Sequence, residues 1–185
     1  MLNLKEIDKS WTLFLDRDGV INKEKYEDYI YNYDEFNFYD GVPEALKIAT
    51  ERFGRLVVAT NQRGVGRGLM TEKDLEIIHQ HMLKDLRLAG GNIQKVYSCI
   101  SLDNESRCRK PNPGMAEEAK RDFPDIEFSR SVMIGNNISD MEFGRNAGMH
   151  TVFLTTTHPD HAGHKASIDL VFDSLYSFAK ALQLS

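Results

Sequence analysis

Two aspartates separated by one residue, in Phe14-Leu15-Asp16-Arg17-Asp18-Gly19-Val20-Ile21-Asn22, are the first grouping in the chain that could do chemistry. At the end of an extended run both carboxylates can converge on one cation if the backbone turns, and Gly19 makes that turn easy. Magnesium takes hard oxygen ligands and keeps several waters, so two or three protein oxygens suffice. A carboxylate beside such a cation can attack phosphorus and form an acyl phosphate, while a second one protonates the leaving oxygen and later activates water. The same pair would also serve as turn aspartates capping the next segment.

Three further polar groupings follow. Thr60-Asn61-Gln62-Arg63-Gly64-Val65-Gly66-Arg67-Gly68 offers a hydroxyl, two amides and glycine-exposed N–H groups to phosphoryl oxygens, with Arg63 or Arg67 adding charge-assisted contacts. It lacks the Gly-Lys-Ser/Thr ending of a P-loop, and its glycines would equally suit a flexible turn. Arg109-Lys110-Pro111-Asn112-Pro113-Gly114 places Lys110 to neutralise a transferring phosphoryl group and Arg109 to clamp a second anion. Alone it reads as a solvated basic turn. Ile134-Gly135-Asn136-Asn137-Ile138-Ser139-Asp140 can complete a cation site through Asn136 and Asp140, although an aspartate in a first helical turn is also favoured by the helix dipole.

The elements that must position these groups are legible as alternation. Apolar runs at residues 11–15, 56–60, 95–100, 132–134, 151–154 and 170–172 are rich in Val, Ile, Leu or Phe, as strands buried on both faces of a parallel sheet should be. Pro43 opens a helix over 43–53 that Gly54 closes. Thr71 with Asp74 forms a capping box for the longest helix, which Gly90 and Gly91 end. Ser139 is the expected N-cap for a helix over 140–147, and residues 173–184 pack back on the sheet. Together they predict an α/β fold: a three-layer, Rossmann-like parallel sheet with helices on both faces and right-handed crossovers, one domain spanning 1–185. Ligands bind beyond the carboxyl ends of such strands. The groupings after Leu15, Ala59 and Ile134 fall there, and the one around Lys110 follows shortly after the run ending at Ile100. Residues 23–40 are the least regular and read as a loop with a short hairpin.

Bulk properties exclude several classes. The 185 residues carry a formal net charge of -5 and 41% hydrophobic residues, with no basic block. That fits a globular domain and argues against nucleic acid as a partner. Cys99 and Cys108, the two cysteines, are too few for a disulfide framework. The N-terminal stretch has scattered charges and no apolar core, so no signal peptide is expected. No apolar run approaches the roughly 20 residues that span a bilayer, which makes the cytoplasm, without a membrane partner, the expected location.

From about residue 11 to 172 these groupings resemble the haloacid-dehalogenase (HAD) superfamily of phosphatases, whose four motifs would be Asp16/Asp18, Thr60, Lys110 and Asn136/Asp140. No large cap domain is inserted between them. The chain is most similar to the capless branch that contains D-glycero-D-manno-heptose 1,7-bisphosphate phosphatases and histidinol-phosphate phosphatases. Residues 14–22, 60–68 with Met70-Thr71-Glu72, and 108–115 carry the likeness to the heptose enzymes.

The resemblance implies a magnesium-dependent phosphatase with Asp16 as nucleophile, Asp18 as acid/base, and Thr60 and Lys110 as phosphoryl stabilisers. Asp16, Asp18, Asn136 and Asp140 would hold the cation. Asn61, Gln62, Arg63, Arg109 and Asn137 would face the substrate, a phosphorylated sugar, and the chain would act as a monomer. Histidinol phosphate is the rival substrate, disfavoured by Arg63 and Arg109. A non-catalytic phospho-ligand binding domain is the rival of another class.

Two departures stand out. Where the family holds a structural zinc, this chain reads Cys99-Ile100-Ser101 and Ser106-Arg107-Cys108. Serine hydroxyls are poor zinc ligands, so no zinc is expected and the cysteines should be free thiols. Asn136 stands where the family has a metal-binding aspartate, which should weaken magnesium binding by one negative charge. His158, His161 and His164 read as a solvated loop rather than a metal site. Tyr26, Tyr29, Tyr31 and Tyr33 are loop-packing aromatics that could instead wall a sugar pocket.

Overall fold

The six apolar runs become six strands: β1 (Thr12–Leu15), β2 (Arg55–Asn61), β3 (Lys95–Cys99), β4 (Ser131–Gly135), β5 (His150–Leu154) and β6 (Leu170–Phe172). In this computed structural model, residues 2–158 and 162–185 are described, without the side chains of 162 and 165. The strands form one sheet in the order β3-β2-β1-β4-β5-β6, and every neighbouring pair is parallel. The register pairs Leu15 with Val58 on one side and Ile134 on the other, so β1 is central and the ends of β1, β2 and β4 lie together.

Side chains alternate across a strand, and here both faces are buried. Leu13, Leu15, Leu56, Val58, Val132 and Ile134 pack with α1 (Val42–Arg52), α3 (Glu72–Leu88) and α6 (Leu175–Leu184). Phe14, Val57, Ala59 and Met133 point the other way, onto α4 (Gly114–Asp122) and α5 (Ile138–Ala147). The inner strands β1, β2, β4 and β5, covered on both faces, are apolar at most positions, which makes them legible as continuous runs. Each fully buried Leu, Ile or Phe contributes about 1.5–3 kcal/mol. No helix among the described residues is long and apolar enough to cross a membrane.

Several expected boundaries move. The α5 N-cap is Asn137 rather than Ser139: its Oδ1 accepts from Ser139 N at 3.1 Å and Asp140 Oδ2 accepts from Asn137 N at 3.0 Å. Both residues are N-cap types with a carboxylate three residues on, Asp140 and Glu142, and it is the Asn137–Asp140 pair that closes the box. Ser174 caps α6, one residue after the expected start. Residues 63–66, read as part of a turn, form one helical turn, α2 (Arg63–Gly66). No hairpin forms within 23–40, which holds a 3₁₀ turn at Tyr33–Glu35 and one bridge from Asn22 to Phe38.

Candidate active site

The site is assembled by strand ends. Asp16 N donates to Ile134 O at 2.9 Å, which seats Asp16 between β1 and β4 just past the sheet. β2 delivers Thr60 and Asn61, and the turn after β4 delivers Asn136. These side chains, with Asp18, Lys110 and Asp140, line a cleft of about 360 Å³ at the carboxyl rim. Two glycines permit the close approach. A Cβ on Gly19, at φ 82°, would lie 2.0 Å from Asn136 Nδ2, and one on Gly135 would lie 2.2 Å from Asp140 Cβ.

Lys110 is the hub. Its ammonium donates to Asp16 Oδ1 at 2.9 Å, Asp140 Oδ1 at 2.7 Å and Ala59 O at 2.8 Å, and its side chain is 1% exposed. Burial works against its charge, but Asp140 and Asp16 outweigh that and hold its pKa above the ordinary lysine value. Asn61 fixes the backbone beneath it, with Oδ1 accepting from Lys110 N at 3.1 Å and Nδ2 donating to Lys110 O at 3.2 Å. Asn61 therefore borders the cleft and also clamps the lysine.

Asp16 Oδ1 accepts from Lys110 and from Arg17 N at 2.8 Å, whereas Oδ2 has no donor among the described residues. That oxygen is the one of the two left to form a new bond. Burial pushes the Asp16 carboxyl well above the ordinary carboxylate range; Lys110 opposes the rise and Asp140 adds to it.

Asp18 is treated differently. It receives five donor contacts: three from the Arg17 guanidinium at 2.8–3.2 Å, one from Asn22 Nδ2 at 2.9 Å and one from Gln62 Nε2 at 2.8 Å. Burial alone would raise its pKa, but Arg17, Asn22 and Gln62 hold it below the ordinary value. A carboxylate has about four lone-pair sites, so the Asp18 side chain is saturated as it stands. It lines the cleft beside Asp16, and either role expected of it, cation ligand or acid/base, requires one of these donors to give way.

The donor set left for a cation is Asp16, Asp140 and Asn136. Among the described residues no three Asp, Glu, His or Cys side chains converge as a metal site, which fits a set of two carboxylates and one amide. Asn136, 2% exposed, donates from Nδ2 to Thr157 Oγ1, which leaves Oδ1 as an oxygen ligand. Two buried carboxylates share one ammonium, and one of them is pushed toward protonation; a second positive charge would keep both ionised. Hard oxygens with a negative excess suit Mg²⁺.

Toward the substrate side, Arg63, Arg109 and Asn137 line the same cleft. Arg63 donates to Asn104 Oδ1 and Arg109 to Ser101 O at 3.4 Å. Burial lowers the Arg109 pKa and the Arg63 charge lowers it further, so two guanidiniums stand close together with no carboxylate of the described residues bound to either. Gln62 is not in the cleft. It is 3% exposed and bridges Asp18 Oδ2 and Thr60 Oγ1, at 2.8 and 2.9 Å, so its expected contact with substrate becomes a supporting one. Thr60 Oγ1 accepts that bond, which leaves its own proton to be donated.

Glu24, which lines the cleft, and the Arg17–His79 pair behind Asp18 carry no signal in the sequence pattern. Arg17 Nη1 donates to His79 Nε2 at 3.1 Å. Desolvation and the Arg17 charge push the His79 pKa down to about 3, so the ring is neutral. Of the four loop tyrosines only Tyr29 borders the cleft; Tyr26 is 91% exposed, and Tyr31 and Tyr33 donate to Asp28 and Asp85. His158 lies 3.8 Å from Glu24, His164 is exposed, and His161 lies outside the described residues.

The cysteines are not free thiols. Cys99, at the end of β3, is joined to Cys108 by a disulfide with Cα atoms 5.5 Å apart. The loop after β3 returns on itself to bring Cys108 alongside, directly before Arg109 and Lys110. The bond thus ties the segment carrying both cationic groups to the sheet.

A family model for HAD-hydrolase-like proteins matches residues 107–178. The chain is 36% identical over 173 residues to a D-glycero-alpha-D-manno-heptose-1,7-bisphosphate 7-phosphatase of Mycobacterium bovis, covering 93% of this chain and 91% of that one. It is 41% identical over 146 residues to the Campylobacter jejuni protein of the same name, covering 79% and 83%. A solved D,D-heptose 1,7-bisphosphate phosphatase from B. bronchiseptica, complexed with magnesium and phosphate, superposes with a TM-score of 0.83 at 26% identity, covering 94% and 98%. With likeness of that degree along nearly its whole length, the chain belongs to the HAD-like phosphatases, in the family of the D-glycero-D-manno-heptose-1,7-bisphosphate 7-phosphatases.

Proposed function

We infer that this chain hydrolyses the C7 phosphate of a D-glycero-D-manno-heptose 1,7-bisphosphate, with magnesium as cofactor and an aspartyl phosphate on Asp16 as intermediate. The observation that carries the reaction type is the Lys110 ammonium held between Asp16 and Asp140 while Asp16 Oδ2 stays open to the cleft.

In this reading Asp16 Oδ2 attacks phosphorus as the bond to the sugar oxygen breaks. Lys110, the Thr60 hydroxyl and nearby backbone N–H groups take up the charge on the phosphoryl oxygens. Asp18, taking up a proton as one of its donors gives way to substrate, passes it to the departing sugar oxygen, then takes one from the water that opens the acyl phosphate and regenerates Asp16. Asp16, Asp140 and Asn136 would hold Mg²⁺, which supplies positive charge against the phosphoryl oxygens and the buried carboxylates. Arg63 and Arg109 receive a second anionic group, as a bisphosphate offers; a cationic substrate such as histidinol phosphate would meet two like charges. The relatives named as heptose-1,7-bisphosphate 7-phosphatases support the sugar. Every group comes from one chain, so a monomer suffices.

Phosphate release over a panel of phosphorylated sugars and histidinol phosphate, with and without magnesium, tests this. The expected result is the highest kcat/KM on the heptose bisphosphate and dependence on magnesium. A preference for histidinol phosphate overturns the substrate, and no turnover even of aryl phosphates overturns the enzyme reading.

A further inference from the structure

Arg17 is the largest side chain buried below 2% exposure among the described residues. A fully buried guanidinium needs partners for its donors. Three contacts go to the Asp18 carboxylate, through Nε at 3.2 Å and Nη2 at 2.8 and 2.9 Å, and Nη1 donates to His79 Nε2 at 3.1 Å. Arginine does not give up its proton, so His79 must present a lone pair at Nε2 and carry its hydrogen on Nδ1. A doubly protonated ring would set donor against donor. His79 comes from α3, on the same face as the core residues Leu75, Ile78 and Met82. It is 8% exposed, so its ring has little freedom.

The guanidinium is planar and rigid, so fixing one end of it fixes the other. Among the described residues Asp18 is otherwise tethered by the short amides of Asn22 and Gln62. We propose that His79 is a positioning residue for the acid/base step: by accepting from Arg17, the α3 imidazole sets where the Arg17 fork, and with it the Asp18 carboxylate, stands relative to the leaving oxygen. The proposal rests on the phosphatase reading and on Asp18 serving as its general acid. Without an acceptor at position 79, the Arg17 fork turns to find one and carries Asp18 with it.

This role has a signature that mere structural support lacks. An alkoxide leaves poorly without a proton, whereas nitrophenolate leaves well, so a misplaced acid harms sugar phosphates selectively. The experiment compares kcat/KM, which reports leaving-group departure, for a sugar phosphate and p-nitrophenyl phosphate with His79→Leu and His79→Gln. Both substrates are measured on one preparation, so any unfolded fraction cancels in their ratio. For His79→Leu the sugar-to-aryl ratio should fall at least about ten-fold, or about 1.4 kcal/mol of transition-state stabilisation. His79→Gln, whose Oε1 can accept from Arg17, should recover most of it. An unchanged ratio in His79→Leu, or equal ratios in the Leu and Gln variants, overturns the proposal. Absence of wild-type turnover on both substrates would instead defeat the phosphatase reading on which it stands.

Discussion

Replacing Lys110 by methionine keeps the length and apolar stem of the side chain and removes its charge. The ammonium lost is within 2.7–2.9 Å of two carboxylates and a carbonyl, and both Lys110 and Asp140 side chains are 1% exposed. Removing one partner of a buried pair costs about 3–5 kcal/mol, because the remaining charge is left unpaired. Asp16 can take up a proton at modest cost, since burial has already pushed its pKa up, so the lower end, about 3 kcal/mol, is expected. That is a large share of the roughly 5–15 kcal/mol that holds a domain together, but leaves it folded. On catalysis the loss of a preorganised charge at the phosphoryl group should cost about 10²–10³ in kcat. Urea unfolding and phosphate release on the same preparation read both effects. Added magnesium should restore part of the stability, by pairing the stranded carboxylates, and little of the activity. A variant within ten-fold of wild-type kcat, or one unchanged in stability without magnesium, would refute the reasoning that makes Lys110 the hub.

Asn136→Asp adds a negative charge to the cation set and should tighten magnesium binding about ten-fold, the attraction being partly offset by repulsion from Asp16 and Asp140. A calorimetric titration identical to wild type would show that position 136 does not touch the cation. His79 is neutral in the fold, with a pKa pushed down to about 3 by burial and Arg17. In the unfolded chain it titrates near 6.5. Its contribution is therefore complete above about pH 6.5 and is lost as pH falls toward 3, at up to about 1.4 kcal/mol per pH unit. Between pH 7.5 and 5.5 the stability difference between wild type and His79→Gln should shift by about 1.4 kcal/mol against wild type; a pH-independent difference contradicts this. The Cys99–Cys108 disulfide closes a short loop, with nine residues of separation, so reduction should cost about 2–3 kcal/mol in urea unfolding. With both thiols so engaged, metal analysis of untagged protein should find well under one zinc per chain; one per chain would refute this.

The strands were legible because a sheet covered on both faces tolerates no polar position along Leu13-Phe14-Leu15 or Leu56-Val57-Val58-Ala59. The chemistry-bearing groups were legible because a parallel sheet sends residues following β1, β2 and β4 to one rim. Residue type did not say which way a side chain turns once there. Gln62 has the same functional group as its neighbour Asn61, yet it folds beneath Asp18 while Asn61 borders the cleft. Asp18 differs from Asp16 because Arg17, between them, bends back onto one and not the other. The Arg17–His79 contact joins residues 62 apart in sequence and exists only because α3 packs beside the end of β1. Nothing periodic marks Glu24 or Tyr29, which lie in an irregular segment. The disulfide depends on the path of the loop after β3, which the spacing of two cysteines does not determine.

The central claim is that one carboxylate, at Asp16, receives the phosphoryl group. Acid-quenching the enzyme during turnover of the heptose bisphosphate with magnesium, followed by peptide mass spectrometry, tests it most directly. The expected result is a phosphoryl adduct on the Asp16 peptide, and neither adduct nor phosphate release from Asp16→Asn. An adduct on another residue, or turnover by Asp16→Asn at a rate near wild type, would contradict it.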